Sequence, residues 1–566
     1  MAKKVLLFTF TVVVMTLFSM VGMLFLRPVE PYHTVMAFSD EVVNIVIDDQ
    51  NIQTNIYPVI QGNQILIPVS LLKDYIYSDI ELSEQYNRLY VNIKSPNFKL
   101  ETEELDNRIE DGINLNFLTQ NIDDINYINI VGLEKIFGIS VEYKEESNIL
   151  IIDKIRENDE IGKINHSTYL RLDKSSFSSK LDKLSKDERV LVFEEDGKWV
   201  KIRTDKGFIG YVQKKYIDAN VEEKNVDISL NEVREDWKPT GKLNLVWEYV
   251  RKYSPDLSTE QKIEGLDVIS PTWFSIVDAS GYVVNNADYK YSQDAHSKGY
   301  KVWGLIDNSF DKELTKALLA DEKAQERAIN QILIYASIYD LDGINIDFEN
   351  VYYEDKDNLT SFVDKLTKAL KQQNLVVSMD TTVPSSSSTW SKFYDREKLS
   401  QILDYVMVMT YDEHWAASPK SGSVASLSWV DRSIERTLEY IPKEKLIMGI
   451  PFYTREWEET KDANGKITVK SKALSMEAVS NRIKDNNSQI VWLEDVGQNY
   501  TEYIKDGKKY RIWIEDEKSI ELKSSLVYKH DLVGTASWRK GFEVEGVWTV
   551  LNNVIKFNNK LVMNRE

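Results

Sequence analysis

Eight short apolar runs recur between Leu243 and Trp538 at intervals long enough for a helix: Leu243–Tyr249, Val268–Phe274, Lys301–Ile306, Gly343–Glu349, Val376–Thr381, Tyr405–Tyr411, Leu446–Pro451 and Gly534–Trp538. Strands that alternate with helices pair in parallel and bury both faces, and eight of them predict a closed (β/α)8 barrel. The class is therefore α/β, a TIM barrel over residues 241–560. That span holds about 320 residues against about 250 for a typical barrel. The polar stretch from Glu456 to about Ser519 accounts for most of the surplus, as an insertion before the last strand. Within 566 residues, 42% hydrophobic and 11% aromatic, there is material for several cores, which excludes global disorder.

The chain begins differently. Val5 to Leu26 is a run of 22 uncharged residues preceded by Lys3 and Lys4. As a helix it spans about 33 Å, enough for the hydrocarbon core of a bilayer. Residues 1–39 are thus expected to be a membrane anchor, with the lysines on the cytoplasmic side and the bulk of the chain outside. The alternative is a cleaved signal segment and a secreted protein, with Ala37 as an indifferent cleavage site.

Residues 40–155 carry a weak internal repeat. Ile65-Leu66-Ile67-Pro68-Val69 opens one copy, which closes at Asn87-Arg88-Leu89-Tyr90-Val91. Tyr127-Ile128-Asn129-Ile130-Val131 opens the second, which closes at Asn148-Ile149-Leu150-Ile151-Ile152. Each reads as strand, short helix and hairpin. The pattern resembles the α+β stalk domain at the N-terminus of copper amine oxidases, and implies a spacer or wall-binding role without a copper site. Residues 156–220 are short β runs; Trp199-Val200-Lys201-Ile202-Arg203 and Gly207-Phe208-Ile209-Gly210-Tyr211-Val212 resemble the end of a small all-β bacterial SH3-like domain. Its aromatics either bind cell-wall peptide or fill the core of a spacer. Residues 221–240 are charged and read as a linker.

The chemistry concentrates in Asp342-Gly343-Ile344-Asn345-Ile346-Asp347-Phe348-Glu349. Strand alternation turns Ile344, Ile346 and Phe348 toward the helices, and Asn345, Asp347 and Glu349 toward the interior. Polar groups stacked inside a barrel are costly unless a ligand or a hydrogen-bond network uses them. Glu349 comes last, at the C-terminal end, where barrel enzymes keep their catalytic groups. A structural network or a metal site are the competing explanations. Five scattered histidines and no cysteine argue against a metal cluster, and no metal or cofactor is expected.

This stretch resembles the DxxDxDxE signature of glycoside hydrolase family 18. Met409-Thr410-Tyr411-Asp412 is similar to that family's M-x-Y-D strand end, Gly449-Ile450-Pro451-Phe452-Tyr453 to its seventh strand, and Ala536-Ser537-Trp538 supplies the tryptophan of the last. The arrangement looks closest to spore-cortex and cell-wall N-acetylglucosaminidases within the family. The resemblance implies a retaining, substrate-assisted mechanism, outside the usual two-carboxylate scheme. It implies Glu349 as general acid and then base, Asp347 as the group that orients the substrate's acetamido, and Tyr411 as its carbonyl partner. Asp412, Met409 and Asp342 are expected in substrate binding, with Trp538 as the floor under the sugar. Asp342 falls off the main stack by parity, so a structural role is equally open.

Asn345 stands where the signature most often has an aspartate, and is expected to donate its amide to Asp347 and keep it ionised. The expected substrate is peptidoglycan, spore cortex or chitin. A net charge of −20 argues against nucleic acid as partner. The rival of a different class is a lectin-like protein on a retired barrel, against which the retained Glu349 and Asp347 speak.

Overall fold

The computed structural model describes residues 12–16, 28–96, 98–156, 158–223, 230, 237–461 and 464–558, and the chain divides into two compact units. Most of Val5–Leu26 lies outside the described residues, so the expected anchor is not described. Among the described residues no helix is long and apolar enough to cross a membrane.

One unit comprises Asn92–Leu118 and Leu230–Glu566. Its centre is the expected barrel, with strands β1 (Leu243–Glu248), β2 (Val268–Ile276), β3 (Lys301–Asp307), β4 (Gly343–Asp347), β5 (Val376–Thr382), β6 (Tyr405–Met409), β7 (Leu446–Pro451) and β8 (Gly534–Trp538). All eight pair in parallel. Closure comes at β1, where Leu245 lies opposite Val268 of β2 and also opposite Ala536 of β8.

The lower interior is apolar: Leu243, Leu245, Trp247, Trp303, Leu305, Met407, Ile447 and Ala536 form one buried cluster. Each large side chain buried there contributes about 1.5–3 kcal/mol. Trp303 lies opposite Gly343 on the next strand. A Cβ at Gly343 would stand 2.6 Å from the Val376 carbonyl and 2.7 Å from the Trp303 ring, so the strand that carries the acidic motif must begin with glycine. Helices are started by aspartates: Asp311, Asp321 and Asp395 each accept first-turn N–H groups. Such a cap stabilises by about 1 kcal/mol.

The insertion lies between β7 and β8, as expected. It is a five-stranded antiparallel sheet built from residues 453–514, with helix Met476–Asn486 packed on it. Leu474, Val479, Ile512 and Ile514 make its own small core.

One segment departs from the sequence reading. Asn92–Leu118 falls inside the expected stalk span, yet belongs to the barrel unit. The reason is polar as well as apolar. Asn116 is fully buried, donates from Nδ2 to the Val283 carbonyl at 2.8 Å, and accepts from the Asn285 N–H at 3.2 Å. Its own N–H donates to the Tyr335 hydroxyl at 3.0 Å.

The other unit comprises Met1–Val91 and Thr119–Ser229. The repeat is present. Gln64–Pro68 and Ile125–Asn129 occupy equivalent places in the two copies and pair antiparallel, Leu66 opposite Asn129. Hairpins close both copies, Ile80–Ser83 with Arg88–Ile93 and Ile139–Lys144 with Ile149–Lys154. The all-β part is a seven-stranded sheet from Asn158 to Glu223, three residues longer than the boundary expected at residue 220. The two parts share one core, in which Tyr32, Val46, Ile149 and Ile151 pack with Leu170, Val200, Ile202 and Val212. Arg203 adds a bidentate pair with Asp153, at 2.7 and 2.5 Å.

Candidate active site

The C-terminal ends of β3 to β8 converge on a group of carboxyls and aromatics. Register puts Asp307 of β3 opposite Asp347 of β4, and Asn345 opposite Leu305 on one side and Ser378 of β5 on the other. Ile346 faces Met379, so the next residues along, Asp347 and Asp380, emerge side by side into the interior. Phe348 points outward and stacks on Phe362 of helix Lys356–Lys371, ring centroids 5.8 Å apart. The alternation expected for this strand is thus the one observed.

Glu349 lies two residues past the end of β4, half-buried. Its backbone is held from both sides by Asn308, whose Oδ1 accepts from the Glu349 N–H at 3.1 Å and whose Nδ2 donates to its carbonyl at 2.8 Å. The neighbouring Phe348 carbonyl accepts from the Tyr394 hydroxyl at 2.9 Å. Burial, and then the charge of Asp412, push the Glu349 carboxyl up to about 7. At neutral pH a large fraction of it holds its proton, as a general acid requires.

Asp347 is buried, and its Oδ1 has no hydrogen-bond partner among the described residues. Burial and the charges of Glu349, Asp380 and Asp307 raise it well above the usual carboxylate range. This corrects the expectation for Asn345. That side chain is fully buried, but its Nδ2 donates to Asp380 Oδ1 at 3.0 Å and to Ser378 Oγ at 3.2 Å. Its Oδ1 accepts from Trp247 Nε1 at 2.8 Å. Asn345 gives nothing to Asp347, which is not held ionised into acid. A neighbouring strand offers the amide a nearer carboxylate than its own strand does.

Tyr411, just past β6, is partly buried; burial, then the charges of Asp380, Tyr453, Asp347 and Glu349, raise its hydroxyl well above the usual value. Met409 ends β6 with the interior parity of Met407. Asp412 follows with a left-handed φ of 60° and accepts from the Tyr453 hydroxyl at 2.7 Å and from Arg455 Nη2 at 3.2 Å. Trp538 ends β8, partly exposed, its ring 6.0 Å from that of Trp247.

Asp342 is not in this group, which corrects its expected role in substrate binding. It precedes β4 at the N-terminal end of the barrel, where its carboxylate receives His296 Nε2 at 2.8 Å, Lys301 Nζ at 2.7 Å and the Val302 N–H at 2.8 Å. It ties strands to a helix on the far side of the interior from Glu349.

Sequence reasoning missed Asn308, Asp380, Tyr394 and Arg455. Asp380 had a signal: it is an acid at interior parity within an expected strand, Val376–Thr381. The other three lie outside the expected strands and meet the site only through the closed barrel.

A half-buried carboxyl pushed up to about 7, set among other buried carboxyls at the C-terminal mouth of a (β/α)8 barrel, is placed to act as a general acid on a bound substrate. Residues 223–542 match the model of glycosyl hydrolases family 18, and residues 166–218 that of a bacterial SH3 domain. The chain belongs to glycosyl hydrolases family 18. It is 28% identical over 292 residues to the uncharacterized glycosylase YvbX of Bacillus subtilis (strain 168), covering 49% of this chain and 82% of the relative. It is 26% identical over 263 residues to the cortical fragment-lytic enzyme of the same organism, covering 45% of this chain and 60% of that protein. The chain thus spans less than two thirds of the latter's length. The crystal structure of the spore cortex-lytic enzyme SleL from Bacillus megaterium QM B1551 shares the fold, with a TM-score of 0.50, 21% identity, and cover of 56% of this chain and 75% of that one.

Proposed function

We propose that this glycoside hydrolase cleaves N-acetylglucosamine-containing glycan of the cell wall, peptidoglycan or spore cortex, by the retaining, substrate-assisted route. The observation that carries the reading is the pairing of Glu349, titrating near 7, with Asp347, whose Oδ1 has no partner among the described residues. The first is a proton donor for the glycosidic oxygen. The second is an acceptor for an N–H that the substrate brings. Glu349 protonates the leaving oxygen, and the substrate's acetamido oxygen attacks the anomeric carbon. Asp347 accepts the acetamido N–H and offsets the positive charge of the oxazolinium; Tyr411 donates to the acetamido oxygen, with Asp412 and Met409 beside it and Trp538 beneath the sugar. Glu349, now ionised, activates the water that opens the intermediate.

The cortical fragment-lytic relative and the SH3-domain match support a wall glycan over soluble chitin. The SH3-like and stalk-like regions serve as wall-binding and spacer parts, and Val5–Leu26 as an anchor that leaves the enzyme outside the membrane. The purified full chain is incubated with peptidoglycan, spore cortex and chitin, and the products identified by mass spectrometry. Fragments with N-acetylglucosamine at the new reducing end are expected from the first two. Release from chitin alone makes the enzyme a chitinase; binding without release makes it a lectin. Fractionated cells locate the chain: a membrane-bound form is expected, and a soluble form beginning near Phe38 would identify a cleaved signal segment.

A further inference from the structure

We propose that Asp380 is the proton-holding partner of Asp347, the two sharing one proton between neighbouring strands. The inference rests on the glycosidase reading above and assigns a residue that the acidic motif does not contain. Asp380 is 2% exposed on β5, in line with Asp347 on β4. Its Oδ1 receives the amide of Asn345, which is itself braced by Trp247 and Ser378. The remaining groups that face the pair are Glu349, Asp307, Tyr394 and Tyr411, with Arg396 acting on Tyr394 and Asp412 on Glu349. Two carboxylates buried side by side do not both ionise near neutrality, so the pair holds one proton.

Hydrogen bonding decides where that proton rests. Asp380 has a donor in Asn345, and Asp347 Oδ1 has none among the described residues. In the free enzyme the charge therefore sits on Asp380 and the proton on Asp347. A substrate N–H arriving at Asp347 reverses the preference: the O–H bond of Asp347 breaks, its proton goes to a carboxylate oxygen of Asp380, and Asp347 becomes the anion beneath the oxazolinium. No other reactant is needed, and the pair keeps a charge of one throughout. Asp380 acts through Asp347 and is a positioning residue.

The test has two arms. In a Glu349→Gln background, which removes the proton of Glu349, infrared titration of the full chain should find a buried protonated carboxyl at neutral pH. Adding Asp380→Asn should move its titration to lower pH, because Asp347 then titrates as a single site between the two steps of the pair. In the second arm, kcat/KM for peptidoglycan is followed against pH. The acidic limb of Asp380→Asn should move up by about one pH unit relative to wild type, about a tenfold loss at pH values below the limb. The exchanged pair Asn345→Asp/Asp380→Asn keeps one amide and one extra carboxyl, and should bring the limb back toward wild type. It also serves if the single variant folds poorly. Superimposable acidic limbs, a limb the exchange does not move back, or no protonated carboxyl in the Glu349→Gln protein would overturn the shared proton. The infrared arm needs no turnover, so a wild type inactive on every glycan refutes the glycosidase reading alone.

Discussion

Asn308 holds Glu349 by both faces of its peptide, accepting from the N–H at 3.1 Å and donating to the carbonyl at 2.8 Å. It is fully buried and steadied in turn by Thr315, whose hydroxyl accepts from the same Nδ2 at 2.8 Å. The residue just after β3 thus fixes the second residue past the end of β4. A strand end alone does not set the direction of a side chain two residues beyond it.

Asn308→Ala should separate positioning from chemistry. Two backbone groups of Glu349 lose their buried partner, which costs about 1–3 kcal/mol per unsatisfied group. The acid is still present but poorly held, and misplacement of this kind lowers kcat by about ten- to a hundredfold. Thermal unfolding and steady-state kinetics together check this. An unchanged kcat would mean the peptide of Glu349 needs no clamp.

Glu349→Gln should nearly abolish turnover and raise stability. The side chain keeps its shape, and the proposed proton donor is gone. In wild type, turnover should fall as pH rises past about 7, where Glu349 loses its proton. The same shift bears on folding. Its folded pKa lies above the unfolded value, so the native state binds more protons in that window and stability declines as pH rises through it. Glutamine does not titrate, so the variant should melt higher than wild type at pH 8 and by a smaller margin at pH 4. A melting difference independent of pH would contradict the raised carboxyl.

A thiazoline mimic of the oxazolinium should inhibit, because it presents the bound intermediate's shape to Asp347 and Tyr411. A fluorosugar should leave no covalent glycosyl-enzyme. Recovery of a peptide carrying sugar on an aspartate or glutamate would replace the substrate-assisted route by a protein nucleophile.

The barrel was legible because its evidence is local. Apolar runs at strand length, separated by helix-length intervals, need no knowledge of partners, and all eight match strands of the closed sheet. Parity was legible for the same reason: Phe348 does face a helix and Asn345 does face the interior. What Asn345 touches was not, because its partners Trp247, Ser378 and Asp380 come from the two strands β1 and β5, distant in sequence. Asp342 shows the matching limit. A motif names its residues together, but a strand of five residues carries its two ends to opposite mouths of the barrel. The shared core of the repeat and the SH3-like sheet was also hidden, since composition marks a domain boundary and not what packs across it.

Asn116 provides the last test, of the segment that sequence alone assigns to the stalk. Its side chain satisfies the Val283 carbonyl and the Asn285 N–H, both inside the barrel unit. Asn285 returns a bond from Nδ2 to the Asn116 carbonyl at 2.9 Å and another to the Tyr339 hydroxyl at 2.8 Å. Leucine at position 116 has the same number of side-chain heavy atoms and no polar one, so the bonds to the Val283 carbonyl, the Asn285 N–H and the Tyr335 hydroxyl are all lost. Asn116→Leu should therefore destabilise the barrel unit by about 1.5–4.5 kcal/mol, three hydrogen bonds at about 0.5–1.5 kcal/mol each. Hydrogen exchange followed by mass spectrometry should show faster exchange in peptides covering residues 113–118 and 283–285, with peptides from the SH3-like sheet unaffected. Equal protection in both proteins would mean that Ile113–Leu118 does not dock on the barrel through Asn116.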